Sequence, residues 1–353
     1  MIDLPNRADH RPLIERVGRE IAIGAPLNGM TWLGQGSGQR LVVAAGDGAV
    51  RTFDATLAVT LKHDTHGGAI LGFARTADGD RVVTGGDDGR VVRSDGRGEV
   101  EELARTKGRW IDHVATGPAG AVAWSEGRRA IVLKGASRHE LDHPSTAGGL
   151  AFDDAGGQFA VAHYNGASIW TLDGKTGGKP KNLGWKGSHV GALFAPGGKF
   201  FVTIMQENCL HGWRLSDAGN MRMSGYPSKP KSLSFSSNGL WLATSGAEGV
   251  VLWPFKGKDG PMGKSGEIVS PRPSVVTAVA FHPQGDVLAV GYSDGCVVMA
   301  RRGDAPLVVV RRPKPGAIAG VAWGAAGRHL AMATEEGVVS TVDLGRAAAA
   351  TGA

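Results

Sequence analysis

Short apolar runs recur along the whole chain, each bounded by glycine, aspartate or asparagine. Examples are LVVAA (41–45), RVVTGG (81–86), FAVAH (159–163) and VLAVG (287–291). No sustained 3.6-residue apolar stripe accompanies them, so the pattern predicts strands rather than helices. The runs come in a fixed order: an apolar strand, a glycine turn, a second strand, an acidic-glycine turn and a third strand. The stretch VTAVAFHPQGDVLAVGYSDGCVVMA (276–300) shows the order most fully.

The order repeats. The first turn's glycine falls at Gly38, Gly79, Gly120, Gly156, Gly198, Gly239, Gly285 and Gly327, at intervals of 41, 41, 36, 42, 41, 46 and 42 residues. Before each turn stands Trp32, Phe73, Thr116, Phe152, Phe194, Phe235, Phe281 or Trp323 as the packing residue of a buried inner strand. The second turn reads Asp47-Gly48, Asp88-Gly89, Asn165-Gly166, Glu207-Asn208, Glu248-Gly249, Asp294-Gly295 and Glu336-Gly337. These pairs suit a two-residue hairpin, which needs φ > 0 at its centre. The third unit departs from the pattern with Arg129-Ala130. A period near 42 residues with three to four strands per unit predicts an all-β propeller.

The repeat resembles the WD40 family over residues 17–344. The matching features are Ala280, Phe281, Pro283 and Gly285 of the AF-x-P-x-G turn, the Asp-Gly hairpins, and a strand-ending aromatic at Phe53, Trp170, Trp213 and Trp253. His66 and His189 match the family's histidine before the inner strand. Most units lack the full His, Ser/Thr, Asp, Trp set, so the resemblance is to a divergent, bacterial-type member. The eight inner-strand units predict eight four-stranded blades, and the resemblance implies that residues 17–24 close the ring as the outer strand of the last blade; seven blades is the alternative. The expected organisation is an extension at 1–16, a single propeller at 17–345 and a flexible tail at 346–353.

Composition agrees with this picture. Glycine makes up 56 of 353 residues, or 16%, against about 7% in average proteins. The glycines are dispersed without a G-X-Y period, which excludes collagen. Hydrophobic residues at 42% and charged residues at 20% exclude intrinsic disorder. Cys209 and Cys296 alone exclude a disulfide framework. The charged N-terminus and the lack of an 18-residue apolar run predict a cytoplasmic chain without a membrane span.

Candidate chemistry is sparse. Gly291–Gly295 matches G-x-S-x-G in letters, but that motif needs a strand-to-helix elbow and here it lies in a hairpin. Lys175-Thr176 and Lys264-Ser265 follow glycine without the leading glycine of a phosphate loop. His63 with His66, and His139 with His143, have metal-like spacing but lie on no predicted helix. No catalytic residue, metal site or cofactor is therefore expected.

The loops from each outer strand to the next inner strand are more informative. Six of them carry eleven basic residues against one acid, Asp64. The resemblance places them on the propeller's top face. The candidate partner-binding residues are Arg105, Lys107, Arg109, Trp110, Trp185, Lys186, Tyr226, Lys229, Lys231, Arg272, Arg311, Arg312 and Lys314. Aromatic residues beside arginine are common interface anchors. The hairpin turns on the same face bring carboxylates such as Asp47, Asp88 and Glu336, which balance part of this charge. The expected role is a noncatalytic scaffold or adaptor that binds a protein or an acidic peptide. Alternatives are a propeller enzyme or a small-ligand or metal-binding protein using the central channel, and a weak nucleic-acid binder, for which a net charge of +6 and 6% aromatics give little support.

Overall fold

The computed structural model describes residues 11–172, 178–303 and 307–349. The strands form seven hydrogen-bonded sheets, six of four strands and one of six, arranged as an all-β propeller. Within each sheet, sequential strands pair antiparallel, because each glycine turn sends the chain straight back beside itself.

Eight sequence units thus occupy seven sheets, the count of the seven-blade alternative, where eight separate four-stranded blades were the main expectation. The fourth and fifth units share the six-stranded sheet. Strand Gln158–Thr171 folds back on itself at Asn165-Gly166, and the Leu172 N–H then donates to the Gly157 carbonyl at 2.8 Å. Strand Lys181–Phe194 pairs with Gly166–Ile169 through its first half and with Phe201–Met205 through its second. It passes from one unit to the next without a break. We number the units 1 to 8 in chain order.

The ring closes where the unit count demands. Strand Gly18–Ala22 pairs antiparallel with Val338–Val342, so the chain's start completes the sheet built by its end. Helix α1 (Leu13–Val17) precedes this strand and helix α2 (Leu344–Ala349) follows the last one. Leu13 and Ala347 are buried in one cluster with Val287, Val297, Leu330 and Val342. The chain's end was expected to be loose from residue 346. Alanine is a strong helix former, and helix α2 carries the alanine run with Ala347 buried.

Inner strands are sewn to their neighbours by the aromatic positions of the repeat. The Phe73 ring lies against the Gly29 Cα of unit 1, and Phe152 lies likewise against Gly117 of unit 3; a Cβ at either glycine would collide with the ring. The indoles of Trp32 and Trp323 donate to the carbonyls of Ala322 and Ala280, each at 3.1 Å and each in the adjacent unit. The third unit does keep a glycine hairpin, with Gly127 at φ 67°. Arg129 and Ala130, assigned to that turn from sequence, begin strand Arg129–Lys134 instead, and Ala130 is buried.

Candidate interaction face

Backbone hydrogen bonds fasten five of the connecting loops to the hairpin turn of the unit they leave. Thr65 and His66 N–H groups donate to the Gly48 carbonyl, Thr106 N–H to Gly89, Ala147 to Gly127, Arg272 to Glu248 and Lys314 to Asp294. A Cβ at Gly89 would sit 2.1 Å from the Thr106 carbonyl oxygen, so only glycine lets that loop lie so close. Loops and turns together form one face of the ring, held by backbone bonds.

Beneath this face runs a set of buried polar contacts. His66 bonds Thr84 through one ring nitrogen and Asp88 through the other, each at 2.9 Å. Burial lowers its pKa, and the Asp88 carboxylate partly offsets that shift. His189 bonds Thr203 at 2.7 Å and the Trp185 carbonyl at 3.0 Å. Tyr226 occupies the corresponding place in its own unit. Its hydroxyl bonds Thr244 at 2.7 Å and accepts the Trp253 indole N–H at 2.6 Å. Burial raises its pKa to about 12.

Tyr226 is therefore a buried structural residue and not a surface anchor, contrary to expectation. Sequence placed it in the correct loop but could not show which way its ring points. Arg311 needs the same correction. It is 3% exposed, its guanidinium donates to the Gly295 carbonyl, and it lies 3.6 Å from the Glu20 carboxylate. Trp185 is half-buried and stacks on His211 with ring centroids 4.0 Å apart.

Several other candidates spend their charge inside the protein. Lys314 bonds Glu20 at 2.6 Å, beside a cleft of about 360 Å³ between α1 and the 311–314 loop. Arg272 bonds Asp294 at 2.8 Å and covers the Tyr292 ring. Arg105 pairs with Glu102, Lys229 bonds Gln206, and Lys231 reaches Glu335 at 3.8 Å. Arg312 is exposed.

A different group stays open. Lys107, Arg109 and Lys186 are exposed, and among the described residues no ion pair or hydrogen bond engages their head groups. Trp110 is 67% exposed, the largest exposure of any tryptophan described. The sequence reading omitted two neighbours. Tyr164 is 55% exposed at the unit 4 hairpin, and Arg128 is exposed at the unit 3 hairpin. Both lie in hairpin turns, which had been credited only with acids.

The chemical candidates resolve into structure. Ser293 and Asp294 lie in the hairpin after strand Val287–Tyr292, with no helix following. Lys175-Thr176 lies outside the described residues. Lys264 lies in an irregular loop and donates to the Gly260 carbonyl. His139 and His143 are buried, and among the described residues no three His, Cys, Asp or Glu side chains are grouped to hold a metal ion. Cys209 and Cys296 are buried free thiols.

The comparisons with known proteins bear on the fold. A family model described as "WD domain, G-beta repeat" matches residues 268–299, the unit in which the sequence pattern is fullest. A search of curated proteins finds no match. Among solved structures, one titled "Structure of U3-55K" superposes with a TM-score of 0.60 at 12% identity, covering 93% of this chain and 98% of that one. At that identity the likeness concerns the fold alone.

Proposed function

We propose that this chain, a β-propeller with one repeat matching the "WD domain, G-beta repeat" model, is a WD40-type noncatalytic interaction scaffold or adaptor whose top face binds a protein or acidic peptide. The observation that carries this reading is the fastening of loops to hairpin turns by backbone hydrogen bonds. Loops already ordered before binding lose little entropy when a partner docks. Cytoplasmic residence fits the two buried free thiols. Among the described residues no helix is long and apolar enough to cross a membrane.

Affinity capture with three baits tests this reading. The baits are the native protein, a variant with Lys107→Glu, Lys186→Glu and Lys229→Glu on the top face, and one with Lys199→Glu and Lys258→Glu at the opposite turns. The expected result is a stoichiometric protein partner lost only with the top-face variant. A partner lost only with the opposite variant, or a catalytic turnover located in the central channel, would overturn the reading.

A further inference from the structure

The top face has two electrostatically different sectors. On the side of units 6 to 8 the cations serve the ring itself: Lys229 on Gln206, Lys231 on Glu335, Arg272 on Asp294, and Arg311 and Lys314 on Glu20. On the side of units 3 to 5, Lys107, Arg109 and Lys186 have no such partner among the described residues. Arg128 adds a fourth exposed cation there.

This second sector is continuous. Thr106 donates to the Glu126 carboxylate at 2.8 Å, joining the Trp110 loop to the unit 3 hairpin. Ala147 N–H donates to Gly127, and His143 N–H to Arg128, joining that hairpin to the next loop. Tyr164 N–H donates to Ser145 Oγ at 2.9 Å. Gly187 N–H then donates to Asn165 Oδ1 at 3.3 Å, beside Lys186. The hydrogen-bonded loops thus run from Trp110 to Lys186.

Three carboxylates, Asp112, Glu126 and Glu207, lie in the same sector. Glu126 accepts from Thr106 and from the Trp124 indole, and Glu207 accepts the Ser188 N–H. Four exposed cations thus meet three carboxylates, a surplus of one positive charge, beside two exposed aromatic rings, Trp110 and Tyr164. An indole this exposed gives up favourable burial unless something covers it.

We propose that the sector from Trp110 to Lys186 docks an acidic peptide segment that places an apolar side chain on Trp110, while the cations of units 6 to 8 staple the ring and take no part. This rests on the top-face reading and narrows it to one side and one chemistry. The fit is charge complementarity around an aromatic anchor. Single-stranded nucleic acid would also meet cations and rings, but two rings in different units make a poor stacking track.

The test is to pan a random twelve-residue displayed-peptide library against the full-length protein and measure binding of the enriched peptides by fluorescence anisotropy. The expected peptides are acidic with an aromatic or branched apolar residue, and they weaken as salt rises. Trp110→Ala, and separately Lys107→Glu with Arg109→Glu, should each weaken binding at least tenfold. Lys229→Glu with Lys231→Glu, and Lys199→Glu, should change it less than twofold, with unaltered circular dichroism for every variant. Acidic peptides lost with the Lys229 and Lys231 pair but not with the Trp110 sector would overturn the proposal and leave the top-face reading standing. Peptides sensitive only to Lys199→Glu would overturn both. Enrichment of no peptide, or tighter binding of a twelve-nucleotide oligothymidine than of any peptide through the same residues, would also overturn the proposal.

Discussion

Two aromatic residues from different top-face loops illustrate how differently similar positions are used. Tyr226 is buried and holds Thr244 and the Trp253 indole, whereas Trp110 faces solvent. Tyr226→Phe should leave that indole N–H without its acceptor and cost about 1–3 kcal/mol in denaturant unfolding. Trp110→Ala should change stability by less than about 0.5 kcal/mol, since it removes little packing. A second residue-scale prediction concerns acid. Burial lowers His143 to about 4 and His211 to about 3; His163 adds to the shift at the former, and His189 and Arg222 at the latter. Both imidazoles stay neutral in the folded state while the unfolded chain takes up protons near pH 6.5. Their contribution to stability is therefore full above pH 6.5 and is lost as pH falls toward those lower values. Each costs about 1.4 kcal/mol per pH unit across its window. His211→Phe keeps a ring against Trp185 and removes one titration, so its unfolding free energy should fall less steeply than the native protein's between pH 6.5 and 4.5.

At the scale of elements, ring closure depends on a short strand and one carboxylate. Glu20 sits in the closing strand and meets Lys314, Arg311 and Ser340 from units 7 and 8. Glu20→Lys should lower stability by about 1–3 kcal/mol through cation repulsion. Adding Lys314→Glu should recover part of the loss, measured as a double-mutant cycle in denaturant. The closing strand was legible because the family resemblance implied that residues 17–24 complete the last blade. The turns were legible too, since left-handed backbone at Gly79, Gly156 and Gly295 strongly favours glycine. Two things were not. The fusion of units 4 and 5 depends on a strand running through a boundary where composition does not change. The third hairpin at Gly127 was hidden because a single glycine between Glu126 and Arg128 carries no two-residue signature.

For the whole molecule, loop position was legible but side-chain direction was not. Arg311 and Lys107 both read as basic loop residues. Only the ring's closure shows that the first is sealed beside Glu20 and the second is open. Which basic side chains stay open after internal pairing is thus a property of the assembled ring. The most direct test of this account is photo-crosslinking in living cells with a benzophenone amino acid placed at Trp110 in one strain and at Lys199, on the opposite turns, in another. A discrete protein adduct is expected from position 110 and none from position 199. An adduct from position 199 alone would contradict it.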